Sequence, residues 1–153
     1  MKKSEKEISI NLVQKLVEEY YGIKGNATKL NGELDFNFKI SAIDSQYFFK
    51  IYNQSIDIEF AKFQENIFNK LDKTLEKKVY PKQLLNTKGN TISSFYGKNN
   101  KKRFFRLNSW IDGRLWSEAN PITNTLRKKL GRSAGKLTKS LESCLLYTSD
   151  AAD

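Results

Sequence analysis

The chain has 153 residues, 39% of them apolar and 12% aromatic, which is enough for one domain with a core and too few for two of ordinary size. It contains no histidine, which excludes a histidine general base, a serine–histidine triad and a histidine-ligated metal; its single cysteine, Cys144, excludes an internal disulfide and a thiolate zinc site. The formal charge of +10 favours anionic partners, yet lysine supplies 22 of the 27 basic residues beside abundant asparagine, so AT-rich codon usage accounts for it better than a nucleic-acid footprint.

The opening MKKSEKEISINLV has lysines but no apolar run fit for a signal segment, because Glu5, Glu7 and Asn11 interrupt it. No stretch approaches the ~20 apolar residues of a membrane span, and a cytoplasmic setting is expected. An amphipathic helix follows. Ser9 is its N-cap, Leu12, Val13, Leu16, Val17 and Tyr20 recur at helical spacing, and Gly22 stops it. ATKLNGE, FNFKISA and QYFFKIY then read as three antiparallel strands, with polar breaks at Leu34-Asp35 and Asp44-Ser45.

From Ser55 or Asp57 the period turns helical, with Phe60, Phe63, Ile67, Phe68 and Leu71 on one face. Strand-like segments return near residues 83–85, 90–96 and 102–110, the first two joined by the turn signal TKGN. This gives five or six strands around one helix. After DGRLW, a last helix is predicted with Asn120 as cap and Pro121 at its first position. Its apolar stripe runs through Ile122, Leu126, Leu130, Ala134, Leu137 and Leu141.

Lys50 stands out chemically. A lysine inside an apolar strand loses hydration and is tolerated where its ammonium meets an anion, so it asks for a carboxylate or a phosphate. Snorkelling from an edge strand is the structural alternative. The hairpin before it can supply a phosphate setting, because Gly32 lets backbone come close to a ligand and a turn can aim peptide N–H groups at oxyanions.

The order hairpin, lysine strand, helix, further strands and an extended run into WIDG is that of the nucleotide-binding lobe of protein-kinase-like folds. YYGIKGNATKLNGELDFNFKI, YFFKIYN and RFFRLNSWIDGRLW resemble the N-terminal lobe of the aminoglycoside phosphotransferase and choline kinase family, with the hydroxylysine-kinase-like branch nearest. The resemblance spans about residues 9–142, and LNGELDFNF, as L-x-G-E-x-D-x-N-F, is its most specific piece.

The resemblance implies an α+β fold: an antiparallel five- or six-stranded sheet with one packed helix, preceded by an N-terminal helix and followed by a hinge and the first helix of a truncated C-terminal lobe. It implies ATP as cofactor, with Lys50 on the α and β phosphates and Gly32, Asn37 and Phe38 in the hairpin that covers them. Ser109, Trp110 and Ile111 match the hinge that meets adenine, and Asp112 with Gly113 leads out of it. Gln64 matches the helical partner of the lysine, with Glu65 the alternative if the register shifts by one. The expected segments are residues 1–22, the N-terminal helix; 23–113, the nucleotide lobe and hinge; and 114–143, the start of the next lobe.

Residues 144–153, CLLYTSDAAD, contain no lysine or asparagine and match one reading frame of a transposase mosaic-end sequencing adapter, so the natural sequence is expected to stop being readable near Ser143. The family's HGD loop and later acidic motif, which provide the catalytic carboxylate and the Mg²⁺ ligands, belong to the C-terminal lobe and are absent here. The whole protein is expected to phosphorylate an alcohol group on an amino-acid-like or aminated acceptor, and this chain alone to be inactive. Two rival readings are a basic nucleic-acid-binding module using KNNKKRFFR and a lobe-only nucleotide-binding regulator.

Overall fold

The computed structural model describes residues 8–75, 80–97 and 100–149. They form three α-helices, α1 (Ile10–Tyr21), α2 (Ile58–Thr74) and α3 (Asn124–Ser149), and five strands. The strands are β1 (Asn26–Leu30), β2 (Phe36–Ser41), β3 (Gln46–Ile51), β4 (Ser93–Tyr96) and β5 (Lys102–Ser109). All pair antiparallel in the order β1-β2-β3-β5-β4, so the fold is α+β with a five-stranded antiparallel sheet. The chain divides into two compact units, Met1–Lys62 with Gln83–Trp110 and Phe63–Lys82 with Ile111–Asp153.

The first unit is built by strand alternation. Side chains two apart share a face of a strand, and cross-strand partners share that face too. Phe38, Phe49 and Leu107 lie in one such row, and Ile51 pairs with Phe105. These residues and Ile40 are fully buried against Val13, Leu16 and Val17 of α1. The Tyr20 ring meets Phe105 edge-on at 4.9 Å, while its hydroxyl donates to the Ser94 carbonyl at 3.1 Å. The caps of α1 are as the sequence predicts: the Leu12 N–H donates to Ser9 Oγ, and Gly22 adopts φ 67° and donates its N–H to the Glu18 carbonyl.

Turns also follow local chemistry. Ala42 N–H donates to the Ser45 carbonyl across the β2–β3 turn. Asn86 organises the TKGN turn, its Oδ1 accepting from the N–H groups of Lys88 and Asn90. The strand expected at 83–85 reduces to a single bridge between Gln83 and Asn108, because the Asn86 turn follows before a ladder can extend. Lys98 and Asn99 of the KNNKK tip lie outside the described residues, as do residues 1–7 and 150–153 of the two termini.

Asp57 caps α2, accepting the Phe60 N–H at 2.8 Å. Of the face predicted for this helix, Leu71 is buried and Ile67 and Phe68 are half-buried, whereas Phe60 and Phe63 are exposed and Ala61 is buried beside Phe60. In the second unit Asp72 accepts hydrogen bonds from Tyr80 and Lys82. α3 starts four residues later than the expected cap: Thr123, not Asn120, accepts the Leu126 N–H through its hydroxyl. The stripe predicted along α3 is solvent-facing, with Ile122, Leu130 and Leu137 all exposed.

Candidate functional site

The face of the sheet opposite α1 is polar. Asn37, Lys50 and Arg106 are register partners across β2, β3 and β5, so the alternation that buries Phe38, Phe49 and Leu107 on one side places these three on the other. A parallel row of Lys39, Phe48 and Asn108 lies beside them. Tyr52, just past β3, is fully buried. Its ring lies 5.2 Å from the Lys50 ammonium and 5.5 Å from the Arg106 guanidinium, a cation–π wall for both.

Lys50 does meet an anion. Its Nζ is 2.7 Å from Asp35 Oδ2, with 17% and 18% of the two side chains exposed. The other carboxylate oxygen of Asp35 accepts the Asn53 N–H at 2.9 Å, and Asn53 Nδ2 donates to the Leu34 carbonyl at 3.3 Å. The end of the β1–β2 hairpin is thereby tied to the end of β3.

Gly32 makes that hairpin possible. A Cβ there would lie 2.6 Å from both Asn37 Nδ2 and the Asp35 carbonyl oxygen, closer than real Cβ atoms come. Asn37 stands against Gly32, and its own Oδ1 is buried without a hydrogen-bond partner. Phe38 gives its ring to the core, so any part it has in the site falls to its backbone.

At the other end of the polar face, Trp110 N–H donates to the Gln46 carbonyl at 3.2 Å, and Lys39 Nζ lies 4.7 Å above the Trp110 ring. Ser109 closes β5, and the boundary between the two units falls between Trp110 and Ile111, inside the segment read as a hinge. Gln64 and Glu65 lie on the part of α2 that belongs to the second unit. The first unit thus gathers Gly32, Asn37, Lys50, Ser109 and Trp110 on one polypeptide framework.

Reading residue types alone missed Asp35, Tyr52 and Arg106. Asp35 had a usable signal: it is the carboxylate inside the most specific motif, in the loop directly before the strand that pairs with β3. Arg106 had none, since its register against Lys50 depends on a pairing 56 residues apart. Within KNNKKRFFR, Arg103, Phe105 and Arg106 are buried, so among its described residues only Lys101 and Lys102 expose basic side chains. Among the described residues no group of three acidic, histidine or cysteine side chains could hold a metal ion, and no helix is long and apolar enough to cross a membrane.

No protein-family model matches the chain, and no curated protein matches it either. Solved structures do. A spectinomycin phosphotransferase in complex with ADP and spectinomycin is 17% identical, with a TM-score of 0.64, over 87% of this chain and 38% of that one. An amicoumacin kinase in complex with AMP-PNP, Ca²⁺ and Ami is 16% identical, with a TM-score of 0.71, over 87% of this chain and 40% of that one. A microcompartment-associated aminopropanol kinase is 13% identical, with a TM-score of 0.66, over 86% of this chain and 40% of that one. The chain therefore spans about two fifths of the length of these kinases, and its fold is that of the N-terminal lobe of kinase-like small-molecule phosphotransferases.

Proposed function

We propose that this chain is the nucleotide-binding lobe of an ATP-dependent small-molecule kinase that transfers a phosphoryl group to an alcohol on an amino-acid-like or aminated acceptor. The observation that carries the reading is the Lys50 ammonium, mostly withdrawn from water on the polar face of the sheet, backed by Asp35 and in register with Arg106. Lys50 and Arg106, in register on that face, are the residue types that polyphosphate recognition uses. Solved neighbours of the same fold hold ADP or AMP-PNP, which supports the same ligand class here.

In this reading Lys50 binds the α and β phosphates, the turn at Gly32 and Asn37 covers them, and the backbone of Ser109, Trp110 and Ile111 meets the adenine edge. When bound, ATP with Mg²⁺ supplies the transferable γ-phosphoryl group. Following the family resemblance, the Mg²⁺ ligands and the catalytic carboxylate are assigned to the C-terminal lobe of the complete kinase. The acceptor pocket is assigned there too.

The test is calorimetric titration of the 153-residue chain with ADP and with adenosine. ADP is expected to bind more tightly than adenosine, and Lys50→Ala to erase that difference in protein that still melts cooperatively. Equal affinity for the two ligands, or an unchanged ADP affinity in Lys50→Ala, removes the nucleotide reading. In the complete kinase the same substitution is expected to lower turnover by orders of magnitude.

A further inference from the structure

Asp35 is a better-anchored partner for Lys50 than an exposed ion pair would be. Its two oxygens do different things. Oδ1 accepts the backbone N–H of Asn53, and Oδ2 holds Lys50 Nζ at 2.7 Å. The Asn53 side chain closes the loop a second time, donating to the Leu34 carbonyl and accepting from the Ser55 N–H and hydroxyl. The carboxylate is thus placed by backbone contacts that do not involve the lysine, and a carboxylate fixed in this way can place the lysine in turn.

Donor arithmetic says what that leaves. An ammonium has three N–H donors, and Asp35 uses one, so two stay available to an anion on the polar face. With both side chains more than four-fifths buried, the contact is shielded from the screening that makes surface pairs weak.

We infer that Asp35 is a positioning residue: it holds the Lys50 ammonium extended over the polar face so that its remaining donors meet a phosphate, and it stays in place when phosphate binds. The inference rests on the proposed nucleotide reading. It has a sign that a competing carboxylate would not give. Removing a negative charge near a phosphate site should by itself tighten anion binding, whereas removing the group that aims the cation should loosen it.

The experiment uses the whole chain as wild type, Asp35→Asn and Asp35→Glu, with two readouts: dissociation constants for ADP and adenosine, and the acylation rate of Lys50 by acetic anhydride, read by mass spectrometry. Asp35→Asn is expected to weaken ADP about tenfold, the size of one lost charge-assisted hydrogen bond, and to leave adenosine unchanged. Lys50 should acylate several-fold faster, and Asp35→Glu should recover most of both effects. An ADP affinity that is unchanged or tighter in Asp35→Asn overturns the proposal and makes Asp35 a competitor of phosphate. If wild type binds no ADP, the nucleotide reading fails by itself; the acylation rates then decide, and equal rates in wild type and Asp35→Asn overturn the positioning role. Should Asp35→Asn not fold, Asp35→Glu decides, and an ADP affinity and acylation rate as far from wild type as those of Lys50-free or denatured protein overturn it.

Discussion

Tyr21, in the last turn of α1, shows how burial alone can set a pH limit. Burial pushes its phenol up to about 12, against the opposing pull of the Ser93 hydroxyl, the Leu107 backbone and the Arg106 charge. Below pH 10 the phenol is protonated in both folded and unfolded chains and the contribution is fully present. Between about 10 and 12 the unfolded chain ionises first, so stability falls by about 2 to 3 kcal/mol in total and the loss is complete above the folded value. Tyr21→Phe is expected to flatten that alkaline decline relative to wild type while leaving pH 7 stability nearly unchanged, as read by denaturant melts across the range. Gly32→Ala tests the hairpin. The added methyl meets the Asp35 carbonyl, which is backbone and cannot swing away, so a loss of about 1 to 3 kcal/mol is expected in the same melts. Lys50 was legible as a residue that needed an anion, because that need is intrinsic to its side chain. Its partner had a signal, as the carboxylate inside LNGELDFNF, but the contact itself was not legible, because Asp35 reaches Lys50 only through the pairing of β2 with β3.

Elements whose ends are written in local chemistry were the most legible. Ser9 and Gly22 bound α1 through a hydroxyl cap and a left-handed glycine, both of which act within a few residues. Ser9→Ala is expected to cost about 1 kcal/mol, the usual value of an N-cap hydrogen bond, and Ser9→Asp to restore it, measured by thermal melting. α3 was less legible at its start, where Thr123 competes with Asn120 for the cap and takes it. The strand-like segment expected at 83–85 shortens to a single Gln83–Asn108 bridge because the Asn86 turn follows at once. α2 kept its predicted face at Ile67, Phe68 and Leu71 and departed from it at its start, where Ala61 is buried and Phe60 and Phe63 are exposed, because only packing decides which side chain has room.

At the scale of the molecule, the exposed Leu130 and Leu137 of α3, together with Ile122 before it, form an apolar stripe on a chain of net charge +10. Contiguous apolar surface of this kind drives association, and net charge of one sign opposes it. The chain is expected to self-associate with rising salt, as charge repulsion is screened, and Leu130→Lys with Leu137→Lys to keep it monodisperse in sedimentation velocity. Equal sedimentation of the double variant and wild type at high salt counts against the stripe as the cause.

By itself the sequence determined the α+β class, the three helices, the hairpin order and the presence of a lysine demanding an anion. These follow from periodicity, caps and desolvation, which operate over a few neighbouring residues. Only the tertiary structure decided that Asn37, Lys50 and Arg106 share a row, that Asp35 holds the lysine, and that Tyr52 backs both cations. Those relations depend on strand register, which brings together residues distant along the chain, and register is fixed by how the whole sheet buries its apolar face on α1.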